Sequence, residues 1–423
     1  MSACQNRHLM QLLAICVFTA FCVFGCFLDN PVEETPEHTE IEYCHWLLEE
    51  LYFWDMPKNS KSFTDPESLF NAVDDPYTRY VVPIKAPESE ESTNTSFSSG
   101  EIGIELGAIM GQDYPLIAYR IYPESPAAKA NIPRYAVLME LNGVSLKDDL
   151  NGSAYQQTLA ECDSAILTYA TPQDTITVKL SKEKIILPTV FLDTLNEKIS
   201  WITLKEFRTE TFDRIYGTVG ELKTILKNLS PTTETLVFDL RNNPGGSLKQ
   251  CSDAADLFVK EGVLFSVQEN VLFSTGKAKK KERIYKSDSE IFGENLNLFL
   301  YTNARTASCA EVFAMALKTG NSKAKSFGAK SFGKGIAQTI WKTPKGGIAY
   351  ITNMQIFDRF GESYHKEGIL PDFSCNENVL DCIDKVLKVE SIQANKINLS
   401  TIKLKESKQL FYGEAFEEGV IFP

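Results

Sequence analysis

The chain has 423 residues, of which 43% are hydrophobic and 23% are charged, and this ordinary globular composition allows two or three domains with buried cores. Its formal net charge of −13 argues against a nucleic-acid partner, because phosphate binding requires a basic surface. Beyond the N-terminus, no segment approaches the ~20 apolar residues that a membrane-spanning helix requires.

The first 26 residues have the layout of an export signal. Arg7 lies in a short polar start, an apolar run extends from Leu9 to about Phe24, and Gly25-Cys26 follows. The sequence "VFGC" resembles the lipobox of bacterial lipoproteins. That resemblance implies a lipid anchor at Cys26 and a place in the bacterial cell envelope, facing the periplasm. Cleavage without a lipid is the alternative.

Six of the ten cysteines follow this signal, and they lack the short paired spacing of a zinc site. Cys375 and Cys382 are near enough in sequence to form a disulfide bond in an oxidising compartment. For most of the others, we expect small buried side chains. The sequence predicts no metal and no other cofactor.

Residues 30–84 alternate helical and turn signals, which predicts a small helical region. In it, "TEIEYCHWLLEELYFWD" spaces its apolar residues as an amphipathic helix does. Residues 85–100, "KAPESEESTNTSFSSG", are polar and predict a linker or exposed loop.

Residues 101–183 predict a small β-rich domain, with strands in "EIGIELGAIM", "YPLIAYRIY" and "DTITVKL" and a short helix in "SPAAKANI". This order resembles a PDZ domain, although Arg134-Tyr135 replaces the usual Gly-Asp pair. The resemblance implies that an extended peptide adds to a sheet edge, with its C-terminal carboxylate near Gly103, Ile104 and Leu106. A β-rich spacer that binds nothing is the alternative.

Residues 185–390 predict an α/β domain with a largely parallel sheet flanked by helices, and residues 391–423 form a tail without an assigned role. "ISWITLKEF" is typical of a strand, and "TETLVFDL" of a strand buried inside a sheet. Between them, apolar residues from Phe212 to Leu229 recur at steps of three and four, which predicts a helix face.

Two stretches of this domain suit acyl transfer. "DLRNNPGG" ends a buried strand with a glycine turn, where backbone N–H groups can approach a substrate. "TASCAE" places Ser308 at a predicted helix start, with Glu311 at the spacing of a capping box. A hydroxyl there can also be a nucleophile, because nearby N–H groups and the helix dipole stabilise an oxyanion.

A third stretch, "FGKGIAQ", offers a base. Lys334 and Gln338 are four residues apart in a strand-like context, so both side chains are expected on one face of a strand. Desolvation there lowers the pKa of a lysine, and the neutral amine can take a proton from a serine. A surface lysine in a glycine-rich hairpin is the alternative.

In this order, the three stretches resemble the carboxyl-terminal processing peptidases, also called tail-specific proteases. The resemblance implies an α/β fold in which a ClpP/crotonase-like peptidase domain carries an embedded PDZ domain. It makes Ser308 the nucleophile, Lys334 the general base and Gln338 the residue that orients the base. The oxyanion hole that it implies uses backbone N–H groups of Gly245 or Gly246 and of Cys309.

The implied activity is that of a serine endopeptidase that cleaves exported polypeptides recognised through their free C-termini, by way of an acyl-enzyme. A non-catalytic PDZ scaffold and acyl-thioester chemistry on a crotonase-like fold are the alternatives. A cysteine peptidase is disfavoured because Cys309 lies one place beyond the motif. A histidine-based triad is disfavoured because, apart from the N-terminal region, the mature chain has only His365, in a turn-rich loop. The sequence does not indicate the oligomeric state.

Overall fold

The computed structural model describes residues 39–58, 60–85, 97–288 and 291–375, together with residue 386. The predicted export signal, the anchor at Cys26 and the C-terminal tail lie outside the described residues, as does Cys382. Among the described helices, none is long and apolar enough to cross a membrane.

The predicted N-terminal amphipathic helix is confirmed as α1 (Glu40–Leu51), and α2 (Pro66–Asn71) and β1 (Arg79–Val81) follow it. Thr39 caps α1, because its backbone N–H donates to the Glu42 carboxylate at 2.9 Å and its hydroxyl accepts from the Glu42 N–H at 3.4 Å. The apolar face of α1 is buried through Tyr43, Cys44, Leu47, Leu48 and Leu51.

The next segment is rich in strands, as predicted. Its elements are β2 (Phe97–Glu101), β3 (Ile104–Ala108), β4 (Leu116–Ile121), α3 (Pro126–Lys129), β5 (Val137–Leu141), β6 (Val144–Ser145), α4 (Ser153–Ala160), β7 (Ser164–Ala170), β8 (Thr175–Ser181) and β9 (Glu183–Ile186). The strands β3-β4-β5-β7-β8 form one sheet in that order, with β6 paired to β5. Strand β2 includes the last residues of the predicted linker and pairs antiparallel with β9.

The remaining elements alternate strands and helices. They are β10 (Val190–Asn196), β11 (Ile199–Leu204), α5 (Gly217–Lys227), β12 (Thr235–Asp239), α6 (Leu248–Asp256), β13 (Gly262–Leu272), β14 (Ala278–Ser287), β15 (Asn297–Thr302), α7 (Cys309–Gly320), β16 (Ala324–Gly328), β17 (Ile336–Lys342), β18 (Ile348–Asp358) and β19 (Phe373–Ser374). A sheet of order β10-β11-β12-β15-β16-β19 is parallel from β11 onward, with β10 as an antiparallel edge. The predicted mixed α/β architecture with a largely parallel sheet is therefore confirmed.

Helix α5 begins later than its apolar pattern predicts. The Asp213 carboxylate accepts the backbone N–H groups of Ile215 at 3.0 Å and Tyr216 at 2.9 Å, which makes a turn. The helix begins at Gly217, and the Ile215 side chain is 78% exposed. The prediction of one helix face from Phe212 was therefore wrong in its first two positions.

Two compact units divide the chain. Of the described residues, the first unit comprises 39–58, 60–85, 269–281 and 337–354, and the second comprises 97–268, 282–288, 291–336 and 355–375. The first has a core in which the buried side chains of α1 and α2 pack with Leu272, Ala349 and Ile351. The domain limits drawn from the sequence stay a prediction.

Within the second unit, a buried ionic network joins the β-rich sheet to β10 and β11. Arg120 donates to Glu105 at 2.9 Å and to Asp193 at 3.2 Å, and Lys205 donates to Glu105 at 2.7 Å. Arg134, the residue that departs from the PDZ pattern, donates to Asp193 at 2.7 Å. Arg120, Glu105 and Asp193 are buried. The network fixes the β-rich sheet against the strands that precede α5, since removing one charge leaves its buried partners with less compensation.

Candidate active site

Ser308 ends the loop that leads from β15 into α7, and its backbone is strained. Its φ of 56° and ψ of −121° lie in a region that favours glycine, which costs a serine about 1–3 kcal/mol. Two hydrogen bonds hold the residues that precede it. The Ala307 N–H donates to the Asn243 carbonyl at 2.9 Å, and the Thr306 hydroxyl donates to the Leu240 carbonyl at 2.8 Å. The hydroxyl is thus carried at the N-terminus of a 12-residue helix, half-buried, in a conformation that its surroundings enforce.

The glycine loop, residues 243–247, lies directly against this serine. Gly245 has a φ of 102°, and a Cβ on it would lie 2.7 Å from both the Cys309 nitrogen and the Ser308 Cβ. Gly246 has a φ of 132°, and a Cβ there would lie 2.0 Å from the Phe207 carbonyl oxygen. Both positions therefore require glycine. The approach of this loop to a substrate stays a prediction.

Of the two glycine N–H groups in the glycine loop, one is already engaged. The Gly245 N–H donates to Asn243 Oδ1 at 2.9 Å. Within the described part of the chain, the N–H groups of Gly246 and Cys309 have no recorded hydrogen-bond acceptor. An oxyanion hole needs such preorganised, unoccupied donors, which favours Gly246 over Gly245 as the partner of Cys309.

Glu311 joins the nucleophile segment, residues 306–309, to the base loop, residues 331–335. Its Oε2 accepts the backbone N–H groups of Ser308 and Lys334, each at 2.8 Å. Its Oε1 accepts the Ser331 hydroxyl and the Gly333 N–H, each at 2.6 Å. The side chain is fully buried. The sequence identified Glu311 only as half of a capping box, and the spacing alone did not reveal its contacts 20 to 23 residues further on.

The electrostatics of this carboxylate are dominated by burial. Burial raises the pKa of Glu311 above its ordinary value, and the four donors oppose that shift. Burial, followed by the charge of Glu311, also raises the pKa of the enclosed Tyr364 phenol. The four donors are what make a carboxylate tolerable in this position, because each of them favours the ionised form.

Lys334 lies in the base loop, half-buried, with its backbone fixed by Glu311. The flanking glycines allow close packing, since a Cβ on Gly333 would lie 2.9 Å from the Gly368 nitrogen and one on Gly335 would lie 2.9 Å from the His365 nitrogen. His365 is thus a loop residue packed behind the base loop. The backbones of residues 308 and 334 consequently meet on one carboxylate oxygen.

Strand β17 begins at Ile336, so Lys334 precedes the strand on which Gln338 lies. The expectation that Lys334 and Gln338 share one strand face was therefore wrong. Gln338 belongs to the first unit, where its side-chain amide donates to the Thr352 hydroxyl at 3.0 Å. Its role as the orienting residue stays a prediction.

Of the three predicted peptide-binding residues, Gly103 precedes β3 and Ile104 and Leu106 lie in it, at an edge of its sheet. Gly103 has a φ of 84°, and a Cβ there would lie 2.0 Å from the Ser125 Cβ. Ile104 and Leu106 are buried in the core of the β-rich sheet. Their part in peptide binding stays a prediction.

Cys309 is buried, as expected for most of the cysteines, but it is not a free thiol. Cys309 and Cys251 form a disulfide bond between residues 58 positions apart, a pairing that spacing alone could not predict. Because its sulfur is bonded, Cys309 has no thiolate with which to act as a cysteine nucleophile. Cys375 is also disulfide-bonded, and its predicted partner Cys382 lies outside the described residues. Cys44 is a buried free thiol, and burial followed by Glu40 raises its pKa to about 12.

Comparison with known proteins agrees with this geometry. Residues 198–375 match the model of Peptidase family S41. The "Probable CtpA-like serine protease" of Staphylococcus aureus strain N315 is 27% identical over 394 residues, which cover 90% of this chain and 75% of that protein. Its counterpart in Staphylococcus saprophyticus is 26% identical over 378 residues, or 88% and 72% of the two chains. The crystal structure of the "Putative S41 protease" of Bacteroides fragilis matches with a TM-score of 0.56 at 17% identity, covering 81% of this chain and 92% of that one.

A strained serine at a helix start, facing a glycine loop and tied to a lysine-bearing loop, is the arrangement of a serine protease, and the chain is one. The part of the chain that carries this site, residues 198–375, belongs to Peptidase family S41. The resemblance stated from the sequence motifs is therefore confirmed.

Proposed function

We propose that the protein is a carboxyl-terminal processing endopeptidase in which Ser308 is the nucleophile and Lys334 is the general base. The observation that carries the proposal is that Glu311 Oε2 accepts two backbone N–H groups, that of the strained Ser308 and that of Lys334, and so joins the two backbones. Neutral Lys334 removes the proton of the Ser308 hydroxyl, and the oxygen attacks the scissile carbonyl to give an acyl-enzyme that water resolves.

The N–H groups of Gly246 and Cys309 stabilise the oxyanion of the tetrahedral intermediate. The positive end of the α7 dipole adds to this stabilisation, because Ser308 directly precedes the first residue of the helix. Gln338 orients the base once substrate is bound. No metal or nucleotide takes part in these steps.

Substrates are polypeptides with free C-termini, which the β-rich domain binds. Support comes from the strand order, from the edge position of β3 and from the positive φ of Gly103, which together suit the addition of a peptide strand with its carboxylate over a loop of N–H groups. In this proposal, residues 185–390 have the ClpP/crotonase-like fold. The chain is exported and anchored by a lipid at Cys26 in the bacterial cell envelope.

The test measures cleavage of one unfolded polypeptide, prepared with a free or an amidated C-terminus. Wild type is expected to cleave the free form faster, whereas Ser308→Ala and Lys334→Ala are expected to be inactive on both. Equal cleavage by Ser308→Ala would refute the nucleophile, and equal rates on the two substrates would refute recognition through the C-terminus. Hydrolysis of acyl thioesters without proteolysis would favour the acyl-transfer alternative.

A further inference from the structure

The Cys251–Cys309 disulfide bond lies between the two segments that supply the oxyanion donors. Cys309 is the first residue of α7 and follows the nucleophile. Cys251 lies in the first turn of α6, five residues after Gly246. The bond therefore joins the first turn of α6, which follows the glycine loop, to the first turn of α7, which follows Ser308.

We propose that this disulfide is a positioning element of the active site, and that the protease is fully active only while the bond is intact. The inference rests on the proposed function, since it concerns the oxyanion hole of that reaction. A Cβ on Gly245 would lie 2.7 Å from the Cys309 nitrogen, so the two backbones are close, and a small rotation of the α7 start would change the direction of the Cys309 N–H relative to the glycine loop. Oxyanion donors act only within a narrow range of distance, about 2.7–3.1 Å, which makes such a rotation costly.

The disulfide bond opposes relaxation of the strained backbone at Ser308. A serine at a φ of 56° relaxes toward negative φ unless its neighbours prevent the change. Ala307 is held by Asn243 on one side of the serine, and Cys309 is held by Cys251 on the other. Breaking the second attachment removes one of the restraints on the strained residue and leaves the Asn243 contact and the Glu311 hydrogen bond.

Reduction of the bond needs a reductant, and a small dithiol supplies the two electrons. One dithiol thiolate attacks a sulfur of the pair to give a mixed disulfide, and the second displaces the other enzyme sulfur. Cys251 and Cys309 end as thiols with two protons, and the dithiol ends as a cyclic disulfide. Cys251 is fully buried and Cys309 is 2% exposed, so reduction has to follow local opening and is expected to be slow.

The experiment follows the full-chain enzyme through timed incubation with dithiothreitol, using an unfolded polypeptide substrate that contains no cysteine. At each time, alkylation and mass spectrometry report the fraction of enzyme with the Cys251–Cys309 bond. Kinetics give kcat and KM, and circular dichroism reports the fold. Cys251→Ala removes the bond without replacing Cys309, and Cys375→Ala is the matched control that removes a different disulfide.

We expect kcat to fall about 100-fold in parallel with loss of the bond, as for loss of one oxyanion donor, while KM changes less than about twofold. Reoxidation restores kcat. Cys251→Ala has the low kcat from the start and does not respond to dithiothreitol, whereas Cys375→Ala responds as wild type does.

An unchanged kcat in fully reduced wild type, or in folded Cys251→Ala, would overturn the inference. Unfolding on reduction would also overturn it, because the bond would then hold the fold together and not the site. Oxidised wild type that shows no Ser308-dependent cleavage would instead overturn the proposed function, and this inference with it.

Discussion

Replacing Glu311 by glutamine tests whether one carboxylate holds nucleophile and base together. An amide has a single oxygen, so two of the four donors lose their acceptor and face an NH₂ group. Each orphaned buried donor costs about 1–3 kcal/mol, which predicts a loss of about 2–6 kcal/mol in the free energy of unfolding. Because either pair of donors includes a backbone N–H of the nucleophile segment or the base loop, kcat is expected to fall about 100-fold, as for a misplacement of about 1 Å.

Glu221 provides the matched control. It is a buried glutamate of α5 whose carboxylate accepts backbone N–H groups of Thr189 at 2.7 Å and Val190 at 3.0 Å. Glu221→Gln is expected to lower stability similarly and to leave kcat within about twofold, because it lies outside the catalytic site. Denaturant unfolding and steady-state kinetics on both variants make the comparison. If Glu311→Gln lost stability and kept its kcat, the carboxylate would serve only the fold.

Gly245→Ala is expected to lower kcat about 100-fold, because its Cβ displaces the nucleophile segment. Gly111 is the control, since it also has a positive φ, of 74°, but has open space around it. Gly111→Ala is expected to lose about 1 kcal/mol of unfolding free energy and to keep its kcat. Arg120→Met is expected to lower the unfolding free energy by about 3–5 kcal/mol, measured by denaturant titration. Burial alone would raise the pKa of Glu105, but the cationic Lys205 and Arg120 hold it below its ordinary value. Wild type is therefore expected to lose unfolding free energy as the pH falls through this lowered pKa, because Glu105 then takes up a proton, and Arg120→Met is expected to lose less. The pH–rate profile of wild type is expected to rise as Lys334 loses its proton, and a profile without that limb would refute the dyad.

The architecture could be predicted because its signals are local. Alternation of apolar residues, the apolar run of β12 and the Asn142-Gly143 turn each determine an element within about ten residues. The start of α5 was missed because a single side chain, Asp213, makes a turn that competes with the apolar pattern.

The site could be predicted only as a set of residue types. Ser308 and Lys334 follow from motifs, but the way in which they are joined does not, since the contacts of Glu311 span more than twenty residues. The pairing of Cys251 with Cys309 depends on how α6 packs beside α7, and sequence spacing carries no information about that distance.

The torsion angles at position 308 bear on the choice of an inactive variant for trapping a bound polypeptide. Glycine adopts those angles freely and also many others, so Ser308→Gly would make the junction between loop and helix more flexible. Alanine keeps the Cβ, and with it the restricted, strained backbone of the native serine. Of these two inactive variants, only Ser308→Ala is expected to keep the native shape of the surface on which an uncleaved polypeptide substrate would bind.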